Sequence, residues 1–76
     1  MRFGEQLRLE REKHELSAQT LAESCGISRS YITLIENGKR LPGKKVIPKI
    51  ALALHVKTNI VINWYLEDLR EKLKNN

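Results

Sequence analysis

A chain of 76 residues with 41% hydrophobic and 30% charged side chains has the composition of one small globular domain, residues 1–76, rather than of a disordered segment. Its formal charge is +5, and its single cysteine excludes an internal disulfide framework and is typical of a reducing, cytoplasmic compartment. Because no apolar run reaches about 18 residues and the first residues lack a signal-peptide core, neither a transmembrane helix nor a secretory signal is expected.

The N-terminal third is predicted to form two helices. Residues 3–14 have the spacing of an amphipathic helix, and Ser17 is a candidate N-cap for a short helix over residues 18–24. Gly26 ends this second helix, since glycine readily adopts the left-handed conformation of a tight turn between helices. The predicted inward-facing side chains of this region are Phe3, Leu7, Leu9, Leu21, Ala22 and Cys25.

A third helix is predicted to begin after Ser28, its N-cap, and to end near Asn37. Ile32 and Ile35 lie three residues apart and are expected to face the core beside Ile27. The opposite face of this helix carries polar side chains at spacings of three and four: Arg29, Ser30, Thr33 and Asn37.

A basic loop, residues 38–47, follows the third helix. Residues 28–57 carry seven Lys and Arg side chains against one acid, a net charge of +6, whereas residues 1–27 and 58–76 carry −1 and 0. Positive charge concentrated in this way attracts a polyanion such as nucleic acid. The same counts also fit a lysine-rich loop that is merely solvated.

Two more helices complete the chain. Pro48 is predicted to start the fourth helix, because a proline at the first helical position gives up no hydrogen bond. Thr58 or Asn59 is expected to cap a fifth helix over residues 59–73, and residues 74–76 are expected to fray. With five helices and no strand pattern, the predicted fold class is all-α.

The second and third helices have the pattern of a helix-turn-helix motif, in which a short turn containing glycine joins two short helices. The crossing of the helices requires a small residue at Ala22 and a turn at Gly26. The angle between them requires apolar residues at Ile27, Ile32 and Ile35. A generic small bundle that matches the pattern by chance is the alternative.

The segment LSAQTLAESCGISRSYITLIENGKR, residues 16–40, resembles the Cro and lambda-repressor type helix-turn-helix family, also called the XRE family. The resemblance covers roughly residues 3–62 and is most specific in ISRSYI and IENGKR. It implies a lambda-repressor-like five-helix bundle whose third helix enters the DNA major groove, and a structural ion pair between Arg11 and Glu36. Ala18 replaces a glutamine that meets DNA in the family, so that contact is lost or passes to Gln19. His55 replaces a glycine after helix four, so a different C-cap is expected.

In that geometry the recognition helix reaches base edges from its N-terminal part. The predicted base-reading residues are Arg29, Ser30, Thr33 and Leu34. Arg29 is suited to bidentate pairing with guanine, with a phosphate contact as the alternative. Thr33 is suited to a base or a thymine methyl group, and Leu34 to the groove or the core. The predicted phosphate contacts are Ser17, Gln19, Ser28, Tyr31, Asn37, Lys39, Arg40, Lys44 and Lys45. For Tyr31 a partly buried spacer is the alternative.

The fifth helix carries an apolar stripe at steps of four, three and four residues, which is longer than a small core needs. We therefore expect it to form a homodimer contact, although such stripes also serve as core within one domain. The predicted contact residues are Ile62, Trp64, Tyr65, Leu66, Leu69 and Leu73. A dimer would hold two recognition helices about 34 Å apart on an inverted repeat.

Three other candidate positions are assigned structural roles. Cys25 is expected in the core, with a redox switch as the alternative. His14 and His55 are expected to be surface or capping residues, because no Cys/His spacing resembles a metal site. No cofactor and no small-molecule ligand is expected.

Taken together, these patterns predict a sequence-specific double-stranded DNA-binding transcriptional regulator of the repressor type, without catalytic activity. A phage or mobile-element repressor, a restriction-modification controller and an antitoxin are the candidate contexts. The alternative is a basic helical protein-interaction module or a non-specific DNA-binding accessory protein. An enzyme is disfavoured, since a bundle of this size rarely provides a pocket and no phosphate-binding glycine motif is present.

Overall fold

The computed structural model describes residues 1–74 and contains, within them, five helices and no strand. The helices are α1 (Phe3–Lys13), α2 (Ala18–Cys25), α3 (Arg29–Glu36), α4 (Val46–Ala53) and α5 (Thr58–Lys74). The all-α prediction is confirmed. Helix α5 begins one residue before and ends one residue after the predicted bounds of 59–73, and residues 75–76 lie outside the described part of the chain.

All five helices surround one apolar core, to which each contributes. Leu9 is the exception among the predicted core residues of α1 and α2, because it is 44% exposed. It follows Leu7 by two residues, which is about 200° around a helix, so both cannot face the core. The core side chains, each no more than 2% exposed, are Phe3, Leu7, Leu21, Ala22, Cys25, Ile32, Ile35, Ile50, Ala51, Leu54 and Val61.

Serine side chains cap the N-termini of both helices of the motif, as predicted. The Ser17 hydroxyl accepts a hydrogen bond from the Thr20 N–H at 3.0 Å, and the Ser28 hydroxyl accepts one from the Tyr31 N–H at 3.1 Å. Each bond satisfies one of the backbone donors that a helix leaves free in its first turn.

The first four helices end in the same backbone motif, in which one residue in the left-handed conformation reverses the chain. Gly26 and Gly38 adopt this conformation after α2 and α3, and Glu15 and His55 adopt it after α1 and α4. At His55 the backbone N–H bonds Leu52 O at 3.2 Å, and the next N–H bonds Ala51 O at 3.0 Å. The expectation of a different C-cap at His55 was therefore wrong, since histidine takes the conformation that glycine usually supplies.

Helix α4 begins at Val46, two residues before Pro48, so the predicted start was wrong and the basic loop is shorter than predicted. Pro48 is tolerated at the third position of the helix because the first N–H groups have no acceptor within it. The apolar pair Val46 and Ile47, both half-buried against the core, accounts for the earlier start.

Helix α5 anchors the N-terminus of α1. The buried Asp68 carboxylate accepts a hydrogen bond from the Phe3 N–H at 2.8 Å, and its other oxygen lies 3.4 Å from the Lys72 ammonium group. The Phe3 ring meets Trp64 and Tyr65 edge-on, at centroid distances of 6.2 and 6.3 Å. Core packing within one chain therefore accounts for the burial of both rings, which the sequence analysis had assigned to a dimer contact.

None of the helices in residues 1–74 combines the length and the apolar character needed to cross a membrane.

Candidate nucleic-acid interface

Helix α3 has one buried side and one exposed side. Ile32 and Ile35 face the core and Glu36 is also buried. The four predicted base-reading side chains are all exposed and together line one shallow depression of about 360 Å³. We call this the recognition surface, and its residues are Arg29, Ser30, Thr33 and Leu34.

One glycine makes the turn that leads into α3, and another permits close packing against it. Gly26 makes the turn from α2 with φ of 65°, and Ala22 is completely buried where the helices meet. On the other side, a Cβ at Gly4 would overlap the Ile35 carbonyl oxygen and lie 2.9 Å from the Glu36 Cα. The backbone of α1 therefore touches the C-terminal turn of α3. Gly4 was not among the residues predicted to be important, although a glycine inside a helix often marks a close approach.

A buried ion pair links the same two helices. The Arg11 guanidinium donates from Nε to Glu36 Oε2 at 2.7 Å and from Nη2 to Oε1 at 3.0 Å. Its Nη1 donates to the Leu16 carbonyl oxygen at 2.8 Å, which also ties down the turn before α2. The hydrogen bond with Glu36 raises the pKa of Arg11. The pair implied by the family resemblance is confirmed.

Arg8 adds a second cation to this cluster, which the sequence analysis did not anticipate. Its Nε donates to Glu36 Oε1 at 3.3 Å and its Nη2 to Asn37 Oδ1 at 3.4 Å. Asn37 is one of the predicted phosphate contacts, and it is exposed. Because its oxygen accepts from Arg8, its amide N–H groups remain free to donate to a phosphate.

Tyr31 organises the basic loop after α3. Its hydroxyl oxygen accepts a hydrogen bond from the Gly43 N–H at 3.2 Å, and the Arg40 guanidinium lies over its ring at 4.8 Å. Tyr31 is half-buried, whereas the predicted phosphate-contact cations around it are exposed: Lys39, Arg40, Lys44 and Lys45. The interaction between Tyr31 and the loop therefore presents these cations next to the recognition helix.

The remaining predicted phosphate contacts lie at helix N-termini. The hydroxyl groups of Ser17 and Ser28 are used as caps, so their helices would meet a phosphate through backbone N–H groups. Gln19 is exposed on α2 and its Nε2 donates to Glu23 Oε2 at 3.4 Å. The neighbouring carboxylate makes Gln19 a less favourable phosphate contact than the loop cations.

The described residues contain no group of three or more His, Cys, Asp or Glu side chains that could hold a metal ion. His14 and His55 are far apart in sequence, yet their exposed rings, in the turns after α1 and α4, lie 6.2 Å apart. Cys25 is buried, as predicted, and burial raises the pKa of its thiol. A buried neutral thiol is chemically unreactive.

The family model described as helix-turn-helix matches residues 7–61, which is most of the chain. This chain belongs to the helix-turn-helix family of the Cro and lambda-repressor type. The matched residues run from the middle of α1 to the start of α5, and they include the whole recognition surface and the basic loop. The family that the sequence resembled is thus confirmed.

Relatives of this helix-turn-helix chain include a transcriptional repressor and a phage control-region protein. The transcriptional repressor RghR of Bacillus subtilis is 47% identical over 55 residues, which are 71% of this chain and 41% of RghR. The ImmF control region 10 kDa protein of Bacillus phage phi105 is 30% identical over 60 residues, 79% of this chain and 67% of that protein. The chain thus spans about two fifths of RghR and two thirds of the phage protein.

Solved structures have the same helix-turn-helix fold. The restriction-modification controller protein C.AhdI of Aeromonas hydrophila superposes with a TM-score of 0.73 at 37% identity, over 78% of this chain and 89% of C.AhdI. The P22 c2 repressor bound to a synthetic operator gives a TM-score of 0.75 at 21% identity, over 80% and 92% of the two chains. The second likeness concerns the fold alone, and it agrees with the predicted lambda-repressor-like architecture.

Proposed function

We propose that this protein is a sequence-specific double-stranded DNA-binding transcriptional regulator of the repressor type. The recognition surface carries the proposal, because its four exposed side chains have no role in the core and stand beside the basic loop. Names of the relatives, a transcriptional repressor and a restriction-modification controller protein among them, support it. In this proposal the protein binds DNA without a catalytic step. It does so in the cytoplasm, where bacterial or phage DNA is found.

The proposed interface makes two kinds of contact with DNA, one to base edges and one to phosphates. Arg29 and its neighbours on the recognition surface read base edges, and an arginine can pair with guanine O6 and N7 together. The exposed cations of the basic loop bind phosphates, which determines the register of the protein on the duplex but not its preference for a sequence. Asn37 and the N-terminus of α3 belong to the second group.

The proposed protein acts as a homodimer through α5. Ile62, Leu66 and Leu73 are 40%, 50% and 74% exposed, and Leu69 is half-buried beside them. A depression of about 490 Å³ on this side is lined by Leu66, Leu69, Arg70, Leu73 and Lys74. Contiguous exposed apolar surface of this kind marks an interaction site. Trp64 and Tyr65 would contribute only their exposed edges.

Charges beside the α5 stripe (Ile62, Leu66, Leu69 and Leu73) suit a second copy of the chain. Glu67 and Arg70 are exposed and line a small depression together with Leu66. Two α5 helices related by a two-fold axis bring the same patch together twice, so each acid can meet a base of the other copy. This arrangement would hold two recognition helices for an inverted repeat.

Selection of bound sequences from random duplex DNA tests the proposal. We expect enrichment of an inverted repeat whose half-sites are one helical turn apart, about 34 Å. Binding to the selected duplex should weaken steeply as salt rises and still exceed binding to a scrambled duplex at every salt concentration. Absence of any enriched sequence would overturn the proposal in favour of a basic protein-interaction module or a non-specific DNA-binding accessory protein.

A further inference from the structure

The recognition surface contains an apolar part as well as polar groups. Leu34 is 42% exposed and lines the depression together with the side chain of Thr33. The Leu34 carbonyl oxygen accepts a hydrogen bond from the Lys39 N–H at 2.9 Å, which holds the last turn of α3 in place. Since Ile32 and Ile35 already fill the core side of the helix, Leu34 remains on the outer side.

The charges around this apolar patch identify the kind of partner that it can meet. Arg29 also lines the depression, and the segment that contains it, residues 28–57, carries a net charge of +6. An apolar peptide would gain nothing from this charge, whereas a DNA duplex would be attracted by it. In the major groove the apolar group that a duplex offers is the C5-methyl group of thymine.

We propose that Leu34 and Thr33 form an apolar receptor for the C5-methyl group of one thymine in each half-site. The inference rests on the proposed function and specifies which base this surface reads. Leu34 is the fifth residue after Arg29, a rise of about 7.5 Å along a helix. Base pairs are about 3.4 Å apart, so the thymine lies within about two or three base pairs of the base that Arg29 contacts.

Replacing thymine with deoxyuridine tests this assignment, because deoxyuridine keeps the same base pairing and lacks only the methyl group. In the selected duplex, each thymine is replaced in turn, at the symmetric positions of both half-sites, and the dissociation constant is measured by fluorescence anisotropy. At one position we expect affinity to fall about fourfold per half-site, the effect of leaving one methyl group unburied. The Leu34→Ala variant should bind the two duplexes equally.

Leu52→Ala is the matched control, since Leu52 is 79% exposed on α4 and lies outside the recognition surface. This variant should keep the full difference between thymine and deoxyuridine. Far-UV circular dichroism and thermal melts should be unchanged in both variants, because neither side chain belongs to the core.

The possible outcomes separate the two hypotheses. If a sequence is selected but no deoxyuridine replacement distinguishes the wild type from Leu34→Ala, the methyl receptor is wrong and the proposed function stands. If Leu34→Ala weakens binding to selected and scrambled duplexes equally, the receptor is also wrong. If no sequence is selected at all, the proposed function itself fails.

Discussion

Single side chains on α3 and its loop are expected to differ in what they contribute to DNA binding. Arg29 is the first residue of α3, is exposed and lines the recognition surface, whereas Lys44 lies in the loop and outside that surface. Both carry one positive charge. Their substitution should therefore have similar electrostatic effects and different effects on specificity.

Arg29→Ala should cost about 1–3 kcal/mol on the selected duplex and relax the preference at one base pair, because a bidentate contact with guanine is lost. Titration against the selected duplex and its single-base variants measures both effects. Arg29→Lys retains the charge but not the two-pronged geometry, so it should lose the same preference. Equal weakening on every duplex would show that Arg29 contacts only phosphate.

Lys44→Ala should weaken binding to all duplexes alike and reduce the slope of log K against log salt by about one, because one fewer phosphate is neutralised. Lys13→Ala removes an exposed cation of α1 that pairs with Glu10 at 3.4 Å and serves as the control. Its salt slope should equal that of the wild type. A change of sequence preference in Lys44→Ala would contradict the assignment.

Cys25 should make the free energy of unfolding depend on pH in alkaline solution. Burial raises the pKa of its thiol above the ordinary value of 9.0, so the folded state binds the proton more tightly than the unfolded state. This contribution is fully present below about pH 9 and is lost as pH rises through the higher folded pKa. Urea unfolding from pH 7 to 10 should show a smaller decline for Cys25→Ala than for the wild type. An equal decline would indicate that other groups account for it.

At the scale of the elements, the residues that end the helices differ in backbone strain. Four helices end in a left-handed residue, and only two of those residues are glycine. A side chain in this conformation costs about 1–2 kcal/mol, whereas glycine adopts it freely and loses about 0.5–1 kcal/mol of chain entropy instead. Glu15 and His55 are thus positions where the fold imposes a conformation that their own side chains disfavour.

His55→Gly should raise the free energy of unfolding by up to about 1 kcal/mol and the melting temperature by about 4–8 °C per kcal/mol. Gly26→Ala is the reciprocal change, since a Cβ at Gly26 would meet nothing within 4 Å and the cost is in the backbone alone. We expect it to lose about 1–2 kcal/mol in the same thermal and urea experiments. A destabilised His55→Gly variant would mean that the contact between His14 and His55 outweighs the strain.

At the scale of the whole molecule, charge and apolar surface occupy different parts of the chain. The net charge of +6 lies in residues 28–57, and residues 58–76 are neutral. The α5 stripe is exposed in this neutral part, where two copies can meet without strong repulsion. The proposed dimer thus leaves the recognition surface and the basic loop of each copy free to bind the duplex.

Leu66→Asp should convert the proposed dimer to a monomer, because it places a charge in the middle of the apolar contact. Leu66 is 50% exposed, so this substitution threatens the fold less than one at the half-buried Leu69. Sedimentation equilibrium should report about half the mass of the wild type, and Leu52→Asp on the surface of α4 should leave the mass unchanged. A wild-type mass of one chain, or no change in Leu66→Asp, would exclude dimerisation through α5.

The amino-acid sequence by itself determined the helix-turn-helix motif, since its signals act over a few residues. Ser17 and Ser28 cap the helices that follow them, Gly26 makes the turn, and the isoleucine spacing identifies the buried side of α3. These local features also separated the recognition surface from the core. They were sufficient to predict the family and the exposed candidates for DNA contact.

Tertiary structure decided what depends on contacts between distant residues. Asp68 bonds the Phe3 N–H across 65 residues, and Tyr31 holds Gly43 across 12 residues, and neither contact leaves a local pattern in the sequence. Packing against α4 and α1 buried Val61 and Asp68 of α5 and left most of the α5 stripe exposed. Periodicity identifies an apolar face, but only the neighbouring helix determines whether that face is covered.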